Sequence, residues 1–279
     1  MTTKPKTSPQ TTYENNPFFV ATNGLDLLFK KAQPVGILMA VLAGVSALAS
    51  LPYMFMPPSE PSQPTTTDSS AVAAENEAFA EAFSRIPSEV WLMAGALALI
   101  ILAVTLVIGI IFRGISDYTS AILASGEQVT LNDAFRAVFS NFWSYTWVLF
   151  IAFIKTMLWT LLFIVPGFVM SYRYSLAGIV FFDKTIKGGA ASTQSAALTK
   201  GAWLTTFASQ NLLNMITLGA IPMLLQPGTN GVLYRQLKAV GDEKPRAHFL
   251  SWLTLILPFI FFALLLGLIV LIAFAFGAE

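Results

Sequence analysis

Two cations stand where apolar residues dominate. Lys155 falls near the middle of the run from Phe142 to Val165. Arg173 sits six residues beyond Pro166-Gly167, flanked by Tyr172 and Tyr174. A cation at the centre of a bilayer costs about 3 kcal/mol on insertion scales, so each needs a partner, a wet cavity or a route to the interface. No acidic residue lies within any predicted span, and Asp183, at a span edge, is the nearest in sequence. Arg offers a planar fork to oxyanions and Lys a point charge. Lys155, Arg173, Tyr172 and Tyr174 are therefore candidates for holding an anionic group, such as a lipid phosphate or carboxylate. The plainer reading is that both cations snorkel or bond backbone carbonyls and the polar face of the fifth span. Gln210, Asn211 and Asn214 form a second polar cluster, with positions 210 and 214 on one helical face. Interhelical hydrogen bonds or a polar substrate path would account for it.

Other chemistry is missing. The sequence has no H-E-x-x-H, no G-x-S-x-G and no Walker loop. His248 is the single histidine and reads as an interfacial loop residue. There is no cysteine, which removes disulfides, thiolate nucleophiles and Cys-based metal sites. No pair of acids within the spans offers acid/base chemistry or a proton relay. We therefore assign no catalytic residue, metal ligand or cofactor. The 16 basic and 15 acidic residues nearly cancel, which excludes a nucleic-acid binder as a whole-chain reading.

The elements that carry these residues are apolar helices. Of 279 residues, 55% are hydrophobic and 11% charged, against about 25% charged in an ordinary globular chain. Mean hydropathy is +0.67. A bilayer core needs about 20 apolar residues per helix. The sequence predicts an all-α, polytopic transmembrane helical bundle of six or seven spans with short amphipathic elbow helices. The spans fall at about 35–56, 90–112, 142–165, 168–182, 203–217, 219–237 and 253–276. Residues 1–34 form a cytoplasmic arm, and 35–276 a single transmembrane domain with an extracytoplasmic loop at 57–88. The first apolar run is preceded by too long a stretch for an ordinary signal peptide, and reads as a retained anchor.

Smaller features complete the pattern. The segment from Asn16-Pro17 to Lys30-Lys31 reads as an interfacial helix. Pro57 to Ser70 is a Pro/Ser/Thr-rich linker, and Ala71 to Arg85 a short helix over the outer surface. Thr130 can cap a helix through Phe139, and Gly188-Gly189 opens a second polar segment. Pro166-Gly167 marks a tight reversal between the third and fourth spans. Most Trp residues lie near span ends, as interface anchors.

Loop charge sets the orientation, because Lys and Arg favour the cytoplasmic side. The arm carries Lys4, Lys6, Lys30 and Lys31. The 57–88 loop carries Arg85 against Glu60, Asp68, Glu75, Glu77 and Glu81. The N-terminus is therefore placed inside and this loop outside, in the inner (cytoplasmic) membrane of a cell. Arg235, Lys238, Lys244 and Arg246 return inside only if the region 203–237 crosses as a broken pair, which favours seven crossings over six.

Several motifs occur in an order that resembles a known group. Leu162-Phe163-Ile164-Val165-Pro166-Gly167-Phe168 is followed by Tyr172-Arg173-Tyr174-Ser175-Leu176-Ala177 and Asp183. Then come Ser195 with Leu198-Thr199-Lys200-Gly201, Thr217-Leu218-Gly219, and Tyr234-Arg235-Gln236-Leu237. Over about residues 18–238 this resembles a bacterial polytopic membrane superfamily. That superfamily includes the membrane domain of some glycerophosphodiester phosphodiesterases and related uncharacterised integral membrane proteins. The resemblance carries no enzyme activity, since no β/α barrel fits in the remaining residues. It implies a membrane protein with a role in envelope or lipid homeostasis. The expected partners are membrane lipids, anionic ones among them, and a membrane-protein partner or second copy of the chain. A transporter or lipid-translocating protein using Lys155 and Arg173 is the alternative, with a membrane-embedded enzyme behind it.

Overall fold

In a computed structural model, the residues described are 13–55, 87–216, 222–241 and 246–276, with Glu77 and Lys244. The Pro57–Ser70 linker, all of the Ala71–Arg85 helix but Glu77, and Thr217-Leu218-Gly219 lie outside them. The described residues are helical, with no strand. They fall into two units, Ser46–Ile110, and Met1–Val45 with Ile111–Glu279.

Helix α1 spans Pro17–Lys31. The Asn16 side chain accepts from the Phe18 amide at 3.0 Å, and Pro17 sits where a missing N–H costs nothing. Val20, Ala21, Gly24 and Leu28 are buried, while Phe18, Phe19 and Phe29 are exposed. Helix α2, Gln33–Phe55, follows after Ala32, and its Gln33–Val45 part bends from α1 by 118°. Helix α3 covers Ser88–Ser125 and runs well past the sequence-read end at Phe112. Its part in the smaller unit, Ser88 to Gly109, is exposed on every face. Its part in the larger unit, from Gly114 to Leu123, is largely buried.

Thr130 caps α4, Leu131–Ser140, accepting from the Asp133 amide at 3.2 Å. Helices α5, Phe142–Leu162, and α6, Ile164–Tyr174, form a tight hairpin about Phe163, which is extended at φ −157°. The reversal therefore falls at Phe163, ahead of Pro166-Gly167. Pro166 lies in the first turn of α6, where no amide partner is lost. Gly167 backs onto Thr160 so closely that a side chain would collide. Short α7, Ala177–Lys184, continues from α6 after a turn, and α8, Gly189–Leu198, opens at Gly188-Gly189. Gly201, at φ +77°, turns the chain into α9, Trp203–Ile216. Helix α10, Pro222–Val240, and α11, Phe249–Phe276, follow, with the imidazole of His248 accepting from the Leu250 amide at the start of α11.

Four stretches are long and apolar enough to cross a membrane: Ser88–Ser125, Phe142–Leu162, Ile164–Lys184 and Phe249–Leu271. The bent pair α1–α2 makes a fifth if it counts as one span. Helices α9 and α10 are not among them. With 14 residues, α9 is only about 21 Å long. Helix α10 is the most enclosed in the larger unit: Pro227 through Tyr234 are all buried. Gln226-Pro227-Gly228, a local turn signal, lies inside this helix. Packing against α1 and α9 overrides the local signal. Gly228 and Gly24 touch backbone to backbone, and a methyl group on either would strike the other helix. The core around α1, α2 and the inner end of α3 consists of Leu28, Val35, Met39, Ile115, Leu123 and Val138, with their neighbours.

Candidate functional site

The one wholly buried carboxylate among the described residues was not read from the sequence. Asp117, on α3, is wholly buried and meets three elements. Arg113, one turn earlier, donates from Nε to Asp117 Oδ2 at 3.1 Å. Tyr145 of α5 donates its hydroxyl to the same oxygen at 2.8 Å. Arg113 also donates to the Ser175 carbonyl at 2.9 Å and to Gln226 Oε1 of α10 at 3.4 Å. Gly178 faces Asp117 from α7, and any side chain there would collide with the carboxylate. The knot thus ties α3 to α5, to the α6–α7 turn and to α10. Asp117 is wholly buried and the Arg113 side chain one-third exposed, so breaking the pair would leave a charge stranded beside a closed pocket.

The network extends through Ser175. Gln210 of α9 donates to Ser175 Oγ at 3.3 Å and to Asn230 Oδ1 of α10 at 2.8 Å. Asn211 donates to the Tyr172 hydroxyl at 3.2 Å and to the Phe207 carbonyl at 2.8 Å. The side chain of Asn214 lies outside the described residues. Gln210 and Asn211, adjacent in sequence, thus serve different neighbours, α10 and α6.

The two stranded cations meet the same helix. Lys155 Nζ donates to the Gly189 carbonyl at 3.0 Å, to Ser192 Oγ at 2.8 Å and to Thr193 Oγ1 at 3.1 Å. The Tyr174 ring lies 5.9 Å from it, within cation–π range. Arg173 donates to the Ala196 carbonyl at 2.8 Å. Its own carbonyl accepts from Ser195 Oγ at 2.7 Å and Thr199 Oγ1 at 3.1 Å. Helix α8 is thereby fastened to α5 through Lys155 and to α6 through Arg173. Its run of Ala, Ser and Thr permits close approach, and its hydroxyls supply acceptors where the chain has no acid.

The remaining motif residues have structural settings. Ser195 is the residue bonded to the Arg173 carbonyl. The carbonyls of Lys200 and Leu198 accept from Lys244, beside the Gly201 turn. Tyr234 donates to Asp183 Oδ2 at 2.8 Å, and Lys238 pairs with the same carboxylate at 3.0 Å. Arg235 is adjacent on α10 and half-buried. Pro166 and Gly167 shape the α5–α6 hairpin.

A cavity of about 580 Å³ lies between α6, α9 and α11. Its walls include Phe168, Val169, Phe207 and Pro258, and the lining side chains that carry a polar group are Tyr172, Trp203 and Asn211. Three aromatic rings pack edge to face along it, Tyr172 and Phe207 at 4.9 Å and Phe168 at 5.2 and 5.4 Å from each. Tyr172 therefore faces this groove, whereas Arg173, the next residue, faces α8. Among the described residues, no group of three or more His, Cys, Asp or Glu could hold a metal.

The missed residues left one sequence signal. Arg113 and Asp117 stand four apart, a helical ion-pair spacing, but only for a helix continued past Arg113. The Tyr145 and Gln226 partners carry no local signal. No family model, no characterised protein and no solved structure matches the chain. Fold and composition define an all-α chain with the character of a multi-pass membrane protein.

Proposed function

We propose that this chain is a non-enzymatic, multi-pass protein of the inner membrane that organises lipids or partner proteins there, and that it belongs to the polytopic superfamily its motifs resemble. The observation that carries this reading is the occupation of Lys155 and Arg173. Their side chains bond α8, which favours a scaffold over a path for an anionic substrate. The Arg113–Asp117 knot, closed by Tyr145 and Gly178, likewise fits a fixed bundle.

The chain crosses the membrane with its N-terminus inside. Helices α2, α3, α5, α6 with α7, and α11 each cross once. Helices α9 and α10 enter and leave from the cytoplasmic side, as two short crossings or as a re-entrant pair. Both arrangements return Arg235, Lys238 and Arg246 to the positive side, and the total is seven crossings or five. Short α9 and enclosed, polar α10 favour the re-entrant pair.

Purification in native nanodiscs, with identification of co-purified lipid and protein, tests the organising role. The expected result is enrichment of one lipid class or one membrane protein over the surrounding membrane. A composition identical to the bulk bilayer, with no partner, would contradict it.

A further inference from the structure

We infer that the groove between α6, α9 and α11 binds one acyl chain of an ester lipid, with the ester carbonyl held by the Tyr172 hydroxyl. The inference rests on the membrane-embedded, lipid-organising reading above and names the chemistry of the lipid.

Asn211 donates to the Tyr172 oxygen at 3.2 Å. Among the described residues, nothing accepts the proton of that hydroxyl. A half-buried hydroxyl in an apolar wall loses free energy when its proton has no acceptor. Asn211 Nδ2 is occupied by Tyr172 and by the Phe207 carbonyl, which leaves the phenol, with the Trp203 indole N–H, as the unmatched side-chain donors among the groove's lining residues. A ligand that completes the site brings one acceptor oxygen and an apolar body.

Charge narrows the class. None of the residues lining the groove is ionisable in the physiological range, and the nearest cation in sequence, Arg173, points to α8. A carboxylate or phosphate seated here would lack a counter-charge. A neutral carbonyl would not. The walls are aromatic and aliphatic, from Ile164 on α6 to Phe259 on α11. The volume of about 580 Å³ falls within the usual range of small-molecule sites, about 300–1,000 Å³. Pro258 lies within α11 and removes one backbone donor beside the groove. The acyl ester is common to neutral glycerides and to phospholipids whose headgroup stays outside.

Photo-crosslinking of the full chain in detergent tests the inference. Three probes carry the same diazirine acyl chain: a monoacylglycerol, a phosphatidylglycerol and a hydrocarbon lacking the ester. Mass spectrometry maps the labelled residues. Both ester probes should label α6, α9 and α11 at Phe168, Phe207 or Phe259 in preference to the exposed face of α3. A stronger signal from one of them names the source. Filling the groove with Val169→Trp should cut that labelling at least about tenfold, equal to 1.4 kcal/mol. Tyr172→Phe should reduce it about threefold, the scale of one hydrogen bond, for ester probes and not for the hydrocarbon. Leu158→Trp, on an exposed face of α5, should change nothing. A Val169→Trp variant that unfolds is replaced by Phe207→Ala, which should shift the labelled positions. Labelling spread evenly over all apolar helices, or the same loss with Tyr172→Phe for the hydrocarbon, overturns the groove assignment. Neither outcome would touch the organising role, which lipid or protein enrichment in nanodiscs tests separately.

Discussion

Tyr145 donates a hydrogen bond from its hydroxyl to Asp117 Oδ2 across 2.8 Å, from α5 to α3, in a place neither side chain shares with solvent. With Arg113 on the same oxygen, one carboxylate fixes the approach of three segments of the larger unit. Asp117→Asn would leave the Arg113 charge without its counter-ion. We expect a loss of about 3 kcal/mol or more, seen as a lower melting temperature in detergent. Tyr145→Phe should cost about 1 kcal/mol. The paired replacement Arg113→Met with Asp117→Leu should be milder than Asp117→Asn alone, since it leaves no buried charge.

The contact of Gly24 with Gly228 gives a second expectation. A methyl group on either residue meets the opposing backbone, and backbone cannot rotate away. Gly24→Ala and Gly228→Ala should each destabilise by about 1–3 kcal/mol or more. The double variant should lose less than the sum, because one separation of α1 from α10 relieves both. Thermal unfolding of the four proteins measures this directly.

Much of this was legible in the sequence, and the reasons differ by element. Continuous apolar runs announced α3, α5 and α11, because a bilayer demands length and hydropathy from one segment at a time. Thr130 announced a helix start through local capping chemistry, and that cap forms; the cap that Asn16 supplies to α1 was not read. The inner end of α3 was missed because Arg113 looks like a span boundary, whereas its partners Tyr145 and Gln226 lie far along the chain. Helix α10 was hard to place for the same reason: Gln226 meets Arg113 of α3, Asn230 meets Gln210 of α9, and Tyr234 and Lys238 meet Asp183 of α7, pairings a local pattern cannot reveal. Lys155 and Arg173 stood out as costly residues. Their acceptors on α8 did not, since hydroxyls and carbonyls bear no distinctive spacing.

Removing the Lys155 ammonium should loosen α8 without melting the bundle. Lys155→Met takes away three hydrogen bonds to Gly189, Ser192 and Thr193. Hydrogen exchange should quicken about tenfold or more over residues 189–198, as local opening becomes easier. Protection of α3 around Asp117 should hold. Equal acceleration in both regions would mean that α8 opens only with the whole fold.

The absence of cysteine from the sequence makes orientation simple to measure. Single cysteines at Lys30→Cys, Lys184→Cys and Arg246→Cys should react with an impermeant thiol reagent only after the membrane is opened. Glu89→Cys should react in intact cells. Labelling of Arg246→Cys from outside would mean that α9 and α10 together cross once.

Transbilayer lipid movement in proteoliposomes tests most directly whether the protein organises lipid or moves it. Fluorescent phospholipid in the outer leaflet is quenched chemically, and the protected fraction is followed with time. With Lys155 and Arg173 bonded to α8, the exchange rate should equal that of protein-free vesicles. A protein-dependent rate that Lys155→Gln or Arg173→Gln abolishes, in a chain that remains folded, would contradict the scaffold account and assign those cations to a lipid path.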